Sequence, residues 1–298
     1  MQEQIITTGE AGFVSEIKKR KKRKQTGYYI AKYAVAVVLI IFFMFPYLFM
    51  VNKSLMSASE LLAGDAHFFP RHFQISNYAI VKDFWHNILN TLQVVLINGV
   101  FGPLTSCICA FPFARHNFKG KKFMFGFMMS TVLLPTVLMI PQYFLYSQLN
   151  LIGKLSSQWI GAFWGGGALN IFLVIQFMRT VPKDVDNAAR VDGANEYQIF
   201  FFILFPLCFN VFLYMAIGAV MGLWMDFQGP LLYLGNNSDQ YTVGLAFYYY
   251  YTSSSNVSSN LQNRLMAMCV VMSLVPMLLF LIFQKQMIGG IKIGGLKG

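Results

Sequence analysis

Residues 181–207 read VPKDVDNAARVDGANEYQIFFFILFPL, a short polar segment that lies between two long apolar runs. We predict that it forms two short helices that meet at a turn. Pro182 suits the first turn of a helix, where its missing N–H needs no partner. Asp184 and Asp186 place negative charge near the positive end of the same helix. Gly193 predicts the end of this helix, because glycine tolerates the left-handed backbone that closes many helices.

The second predicted helix begins with a capping signal. Asn195 and Gln198 are three positions apart, as in a capping box, where each side chain bonds to the backbone N–H of the other residue. Small side chains precede this point, at Ala188, Ala189 and Gly193. We expect these small residues to let another protein approach the backbone closely.

At these residues the chain resembles the permease subunits of bacterial ATP-binding-cassette (ABC) importers. The EAA loop of that family contains Glu-Ala-Ala, a glycine four positions after the last alanine and an Ile-x-Leu-Pro ending. It forms the coupling helix that docks into a cleft of the ATPase. Besides the alanine pair, Gly193, Ile203 and Pro206 fall at the family's spacing. Two positions depart, with Asn187 in place of the usual Glu and Phe205 in place of Leu.

The resemblance implies that this loop couples the membrane helices to an ATPase. The lost Glu charge puts one polar contact with the ATPase in question, although Asn187 can still form hydrogen bonds. An ordinary amphipathic loop between two membrane helices is the alternative interpretation. The residues that we assign to ATPase coupling are Pro182, Asp184, Asp186, Asn187, Ala188, Ala189, Asp192, Gly193 and Ala194.

The composition of the chain is that of a membrane protein. Of its 298 residues, 56% are hydrophobic and only 12% are charged, and the mean hydropathy is +0.52. A water-soluble globule of this length would need more polar surface than these residues can supply. The net charge of +11 would suggest a nucleic-acid partner in a soluble protein, so the location of the charges decides its meaning.

Six apolar runs are long enough to cross the roughly 30 Å hydrocarbon layer as helices. They comprise residues 28–51, 87–114, 123–149, 159–180, 202–233 and 264–283. The glycines at 165–167 permit close helix contact or local unwinding, and we favour close packing. We therefore predict an all-α integral membrane protein with six transmembrane helices, and the resemblance implies the type I ABC importer permease fold.

The chain divides into three predicted parts. Residues 1–27 form a basic N-terminal arm, which we expect to be flexible because it lacks apolar periodicity. Residues 28–286 form the six-helix permease domain, which includes the coupling loop at residues 181–201. Residues 287–298 form a C-terminal tail. The first apolar run is too long for a cleaved signal peptide, and no small-residue cleavage site ends it.

Positive charge predicts the orientation of the chain in the membrane. Eighteen of the 23 lysine and arginine residues lie in the arm and its edge, in the loops at 115–122 and 179–190, or from residue 285 onward. Because these residues favour the cytoplasmic side, we predict that both termini and the coupling loop are cytoplasmic. The family implies the bacterial cell membrane as the location. This topology accounts for the basic excess, so we predict no nucleic-acid partner.

No motif in the sequence indicates an enzyme. A phosphate-binding loop of the GxxxxGK[ST] kind is absent, and no nucleophile, base and orienting group can be paired. The four histidines show no metal-ligand spacing, so we assign neither a catalytic nor a metal site. The cysteines lie within predicted spans, where we interpret them as small buried side chains: Cys107, Cys109, Cys208 and Cys269.

Further segments resemble the carbohydrate-importer permeases of the maltose-transporter type. These are LLPTVLMIPQYFLYSQLNLIG (133–153), WMDFQGPLLYL (224–234) and GGIKIGGLKG (289–298). The resemblance implies a heterodimer with a second homologous permease, a cytoplasmic ATPase dimer that binds ATP and Mg, an extracellular solute-binding protein, and a sugar or oligosaccharide substrate. The chain itself is then expected to bind no cofactor. Two alternatives are a permease of the same superfamily for a peptide or an anionic oligosaccharide, and a non-transporting membrane scaffold.

Polar residues inside the predicted spans are candidates for the substrate path, because polar groups are costly against lipid. Hydrogen bonds between helices would explain each of them equally well. The candidates are Asn90, Gln93, Asn98, Gln142, Tyr143, Asn170, Gln176, Asn210, Asp226 and Gln228.

Overall fold

Helices account for nearly all of the secondary structure. The computed structural model describes the backbone of residues 2–62, 68–133, 135–254 and 262–294, and these ranges contain no β-strand. The α-helices are α1 (Gln2–Ser54), α2 (Ala58–Leu62), α3 (Ile80–Asp83), α4 (Trp85–Arg115), α5 (Lys121–Leu133), α6 (Pro135–Gln148), α7 (Ala168–Thr180), α8 (Lys183–Val191), α9 (Glu196–Gln198), α10 (Phe205–Leu207), α11 (Phe209–Trp224), α12 (Gln228–Leu234), α13 (Val243–Ser254) and α14 (Gln262–Gly294). Short 3-10 helices lie at Ile75–Ala79, Leu155–Gln158, Ile160–Trp164 and Ser238–Gln240, and a π-helix lies at Ile199–Leu204.

Long apolar helices dominate the architecture. Four helical segments are long and apolar enough to cross a membrane, namely Tyr28–Ser54, Trp85–Arg115, Ile160–Thr180 and Gln262–Lys285. Two further candidates are pairs of helices with a bend between them, and counting each pair as one span gives six. The chain is therefore a multi-pass membrane protein, and its described residues provide four to six of the six predicted spans.

The two bent pairs lie in the third and fifth predicted spans. Helices α5 and α6 are bent by 101° relative to each other, and a bend of 70° separates α11 from the helical residues before it. Pro135 begins α6, and Pro206 lies two residues before the second bend. Because proline removes a backbone donor and clashes with the preceding turn, it favours a bend at such positions.

The N-terminal arm differs from its prediction as well. Helix α1 continues without a break from Gln2 to Ser54, so the arm and the first span form one helix rather than a flexible arm joined to a span. Lysine, arginine, glutamate and glutamine are frequent in the arm and are good helix formers, which explains why the helix can extend through it. At the other end of the chain, α14 continues beyond the predicted sixth span to Gly294.

Helix α4 lies in the middle of the main apolar core. Cys107 and Ala110 of α4 are fully buried. They pack in one cluster with Val174 of α7, with Cys208, which directly precedes α11, and with Met215 of α11. Both cysteines are free thiols, in agreement with their interpretation as small buried side chains. The two flanking helices thus share one packed core with α4.

A buried amide network joins three segments where α4 begins. The Asn77 side-chain nitrogen donates to the carbonyl oxygens of Ser54 at 2.8 Å and Met56 at 3.0 Å. The Asn263 side-chain nitrogen in turn donates to Asn77 Oδ1 at 3.0 Å. These bonds join the end of α1 to the start of α14 through Asn77. They also provide the hydrogen-bond partners that buried polar groups need.

Candidate functional site

Residues 182–198, which we call the elbow, form two helices joined by a turn as predicted. Helix α8 ends at Val191, and Gly193 has a φ of +86°, in the left-handed region. The Ala194 N–H donates to Ala189 O at 2.9 Å, and the Gly193 N–H donates to Arg190 O at 3.1 Å. This pair of bonds is the Schellman motif, which satisfies the last carbonyls of a helix.

The predicted capping box is present at the start of the second helix. The Asn195 N–H donates to Gln198 Oε1 at 2.8 Å, and the Gln198 N–H donates to Asn195 Oδ1 at 2.9 Å. At the other end of the elbow, Pro182 occupies the N-cap, so α8 begins one residue later, at Lys183. Local signals in the sequence therefore define both ends of α8 and the start of α9.

The elbow presents its residues on two different faces. Asp186 and Ala189 are buried, and Ala189 packs with Ile199 and Leu204 of the π-helix. Asp186 and Ala189 share one side of α8 because residues three apart in a helix lie next to each other. Ala194 is half-buried. The exposed members of the predicted coupling set are Pro182, Asp184, Asn187, Ala188, Asp192 and Gly193.

Asp186 forms a buried ion pair with an arginine that the sequence analysis did not assign to the site. Arg115 Nε lies 2.9 Å from Asp186 Oδ2, and the two side chains are only 2% and 3% exposed. A second guanidinium nitrogen of Arg115 donates to Val181 O at 3.0 Å. Arg115 closes an apolar run of 28 residues (87–114), and this position at the end of a span is the signal that could have identified it.

A second, exposed ion-pair network joins the same end of α4 to the other helix of the elbow. His116 Nε2 lies 3.4 Å from Glu196 Oε2, and Arg190 Nη2 lies 3.0 Å from Glu196 Oε1. Arg190 Nη1 also donates to Asn187 Oδ1 at 3.4 Å. Asn187, which replaces the usual Glu, therefore has a hydrogen bond within the elbow itself.

Two large side chains on either side of the Gly193 turn are highly exposed. Val191 is 87% exposed and Tyr197 is 78% exposed. A Cβ atom built on Gly193 would meet no atom within 4 Å, so the space over the turn is open. Together with the small side chain of Ala188, this gives a surface with an accessible backbone and two flanking apolar groups.

Three of the substrate-path candidates are asparagines whose side-chain amides donate to backbone carbonyl groups. The Asn90 amide donates to the carbonyl oxygens of Asp239 and Tyr241, at 2.9 and 3.0 Å. The Asn98 amide donates to Gln158 O at 3.1 Å. Asn170, at the start of α7, donates to Gly166 O at 2.8 Å, four residues before it. These amides hold loops and 3-10 helices against the spans.

Four other candidates lie near the opposite end of the bundle from the elbow. Tyr143 stacks on Tyr233, with ring centroids 6.4 Å apart, while Gln142 donates to Tyr146 Oη at 3.0 Å. Asp226 Oδ1 accepts the N–H of Gln228, the first residue of α12, at 3.0 Å. The Gln228 side chain is exposed. Aromatic rings and amides thus lie close together here.

The remaining three candidates are exposed. Gln93 of α4, Gln176 of α7 and Asn210 of α11 have no side-chain hydrogen-bond partner among the residues that the structure describes. An amide in the hydrocarbon layer without a partner is unfavourable, because lipid chains cannot accept or donate hydrogen bonds. These side chains therefore require water, a solute or another polypeptide.

A protein-family model matches most of the chain. It is described as the binding-protein-dependent transport system inner membrane component, and it matches residues 102–292. The matched segment includes the second half of α4, from residue 102 onward, and the whole elbow. It therefore contains both Arg115 and Gly193.

Curated relatives match over most of their length. The chain is 29% identical over 264 residues to the arabinooligosaccharides transport system permease protein AraQ of Halalkalibacterium halodurans, covering 85% of this chain and 91% of that protein. It is 30% identical over 219 residues to the melibiose/raffinose/stachyose import permease protein MelC of Bacillus subtilis, covering 72% of this chain and 76% of that protein.

A solved structure has the same fold. It is a bacterial ABC transporter involved in the import of the acidic polysaccharide alginate, which matches with a TM-score of 0.73. The match covers 87% of this chain and 95% of that chain at 18% identity, so it concerns the fold alone. The predicted all-α membrane fold of the permease type is confirmed.

Proposed function

This chain belongs to the family of binding-protein-dependent transport system inner membrane components, and from that premise we propose that it forms, with a second homologous permease, the membrane path of an ABC importer for a sugar or oligosaccharide. The chain itself is a membrane subunit and not an enzyme. Systems of this family consist in general of permeases, an ATPase and a solute-binding protein. ATP and Mg would bind to the ATPase subunits of the complex.

The structure of the elbow is the main observation that supports a role in ATPase coupling. Its outer face has open space over Gly193, and Val191 and Tyr197 stand on both sides of this space. Exposed apolar side chains next to a polar rim are typical of surfaces that bind another protein. Its inner face is fixed to α4 by the pair Arg115–Asp186. A body that pushes on the outer face would therefore move a helix that is packed in the core.

The distribution of charge supports a cytoplasmic location of the elbow and of both termini. Arg115 and Lys121 flank the α4–α5 loop, and this end of α4 contacts the elbow directly. The positive residues of the arm, of the loops and of the tail then lie on the same side, as the preference of lysine and arginine for the cytoplasm requires. We propose the cytoplasmic membrane of a bacterium as the location.

The substrate class rests on the relatives and on the chemistry of the spans. AraQ and MelC are named for oligosaccharides. The amides of Gln93, Gln176 and Asn210, which have no partner within the described ranges, can donate to and accept from hydroxyl groups. The predicted spans contain only three cationic residues, Lys32, Arg179 and Arg264, so they offer little to neutralise an anionic solute. A neutral sugar fits these residues better than an acidic one.

We propose a lever mechanism for coupling. Closure of the ATPase dimer around ATP would displace the elbow as a rigid unit and switch the spans from an inward-open to an outward-open arrangement. Packed helices have discrete arrangements, which allows a small displacement to select one of them. The free energy must come from ATP, because binding of the sugar alone cannot drive its accumulation.

Reconstitution tests this function directly. The chain, its second permease and the ATPase are placed in proteoliposomes, and ATP hydrolysis and the uptake of labelled oligosaccharide are measured with and without loaded binding protein. We expect loaded binding protein to stimulate both. A scaffold would show neither response, and stimulation by a peptide rather than by any glycan would contradict the sugar assignment.

The cognate glycan can be found beforehand from the binding protein. A ligand that binds the native state raises the apparent stability, by about 2.7 kcal/mol at a concentration of 100 times Kd. We expect a neutral oligosaccharide to raise the melting temperature of the binding protein more than acidic oligosaccharides or peptides do.

A further inference from the structure

Two consecutive residues at the end of α4 each contact a different helix of the elbow. Arg115 pairs with Asp186 in α8 at 2.9 Å, and His116 lies 3.4 Å from Glu196 in α9. The Gly193 turn lies between these two attachments. A displacement of either helix of the elbow is therefore transmitted to the same end of α4.

The two attachments differ in strength. The Arg115–Asp186 pair is almost completely buried, whereas the side chains of His116 and Glu196 are 38% and 46% exposed. Ion pairs in water contribute little, while a buried pair cannot separate without leaving an uncompensated charge. We therefore expect Arg115 to be the attachment that resists separation when the elbow moves.

The hydrogen bonding of the buried pair suggests a role other than stability. Arg115 Nε and Nη2 and Asp186 Oδ1 are buried and have no hydrogen-bond partner among the described residues, so the contact of Nε with Asp186 Oδ2 is an ion pair without hydrogen-bond geometry. Such a pair is often no more stable than well-packed apolar residues in the same place, because both charges lose their hydration. Arg115 does fix the orientation of the elbow relative to α4, because its guanidinium group contacts Asp186 and the Val181 carbonyl at the same time.

Helix α4 can pass a movement on to the rest of the bundle. In the last turns of α4 before Arg115, Ala110 and Ala114 belong to the cluster that contains Ile175 and Met178 of α7. Met178 is fully buried, and close-packed interiors transmit displacement because they do not compress. The elbow, α4 and α7 thus form a continuous series of contacts.

We propose that Arg115 is a positioning residue that transmits the movement of the coupling helix to α4 and that His116 assists it. This inference rests on the proposed function. It adds that the elbow acts on the spans mainly through α4, by way of the Arg115–Asp186 pair, and not only through the peptide chain at Pro182 and Ile199. The quantity that reports this role is the amount of solute transported per ATP hydrolysed.

The first test replaces the pair by apolar residues of similar size. The double variant Arg115→Met with Asp186→Leu leaves no buried charge without a partner, so we expect it to fold and assemble. In proteoliposomes, we expect ATP hydrolysis to continue while the solute transported per ATP falls about tenfold, which is within the usual range of coupling between sites. An unchanged ratio would overturn the proposal.

A second variant keeps the charge. Arg115→Lys retains a cation beside Asp186, but an ammonium group lacks the planar fork that contacts Asp186 and the Val181 carbonyl together. We expect the transported amount per ATP to fall several-fold, by less than in the apolar pair. If this variant keeps the wild-type ratio, the proposal is wrong even where the apolar pair does not assemble.

The matched control is Arg179→Met. Arg179 is an exposed arginine in the last turn of α7, and it forms no ion pair within the described part of the chain. We expect it to retain the wild-type ratio. Wild-type proteoliposomes measured in parallel separate the two questions, because a wild type without uptake contradicts the proposed function, whereas a working wild type with unaffected Arg115 variants contradicts only this inference.

Discussion

Gly166 lies so close to the backbone of Gly102 that Gly166 has no room for a side chain. A Cβ atom on Gly166 would overlap the Gly102 carbonyl group and would stand 2.6 Å from Ser106 Oγ. Gly166 also has a φ of +62°, and its neighbours Gly165 and Gly167 have φ values of +102° and +105°. The glycine run therefore provides both close packing and local unwinding, whereas the sequence alone favours packing.

The first prediction concerns this contact. We expect Gly166→Ala to destabilise the protein strongly, because the added methyl group must displace the backbone of α4. Overpacking of this kind costs about 1–3 kcal/mol, and the left-handed backbone adds about 1–2 kcal/mol for any L-residue. Thermal unfolding in detergent measures the change.

Gly167→Ala is the matched control for the Gly166 variant. Gly167 also has a positive φ, of +105°, but a Cβ atom on it would meet nothing within 4 Å. The control should therefore lose only the part due to backbone strain. Equal melting temperatures for the two variants would show that Gly102 does not restrict this position.

The second prediction concerns Gly193 in the elbow. We expect Gly193→Val to reduce uptake in proteoliposomes by about tenfold or more while the protein remains in the membrane. Its φ of +86° is unfavourable for valine, and the side chain would occupy the open space where we propose that the ATPase binds. Uptake and ATP hydrolysis, measured together, report the effect.

Gly120 offers a closely matched control for Gly193. It has the same φ of +86° and equally open surroundings, but it lies in the loop between α4 and α5. Gly120→Val therefore carries the same backbone strain without changing the elbow, and we expect nearly normal uptake. Similar losses in both variants would mean that backbone strain, and not contact with a partner, explains the result.

The third prediction concerns pH and the loop after α1. Glu60 accepts the Ser57 N–H at 3.0 Å and the N–H groups of Arg71 and His72 at 3.2 and 3.3 Å. These bonds, first among them that from Ser57, lower the pKa of Glu60 below its ordinary value of 4.5. A carboxylate with a lowered pKa stabilises the loop above its ordinary pKa and loses this effect as the pH falls through the lowered value.

Hydrogen exchange can detect this loss. We expect the protection factors of the Arg71 and His72 amides to fall at acid pH and to fall equally in Glu60→Gln at neutral pH. The Asn237 side chain, which donates to Gly153 O at 2.9 Å, contains no titratable group. Amides around Gly153 should therefore keep their protection over the same pH range, and a general loss there would point to global unfolding instead.

Local signals made the elbow predictable from the sequence. The Asn195–Gln198 capping box and the Gly193 turn depend on residues only a few positions apart, and the structure has both. The direction in which α8 faces was not predictable in this way. Asp186 is buried because Arg115 lies beside it, and Arg115 belongs to a helix that is distant in the sequence.

The same distinction applies to the substrate-path candidates. Asn90 bonds to the carbonyl groups of Asp239 and Tyr241, which lie in a loop about 150 residues away. Gln176 has no such partner among the described residues. Composition and periodicity do not distinguish the two amides. The residues around Asn90 in the sequence give no sign that a distant loop supplies its hydrogen-bond acceptors.

The last prediction separates these two kinds of amide. We expect Asn90→Ala to lower the melting temperature, because it removes the two hydrogen bonds that Asn90 donates to the carbonyl groups of Asp239 and Tyr241, each worth about 0.5–1.5 kcal/mol. We expect Gln176→Ala to leave the melting temperature within the range of surface substitutions, about 0.5 kcal/mol. Its effect should appear in transport, as a several-fold rise in the KM for the oligosaccharide.

Substitution of an exposed apolar residue on the same helix controls for the change in shape. Leu173 of α7 is 37% exposed, so Leu173→Ala also removes a side chain from the surface of this helix. It removes no hydrogen-bonding group, and we expect the KM to stay near the wild-type value. A Gln176→Ala variant with normal KM and normal stability would show that this amide faces neither the solute nor the second permease.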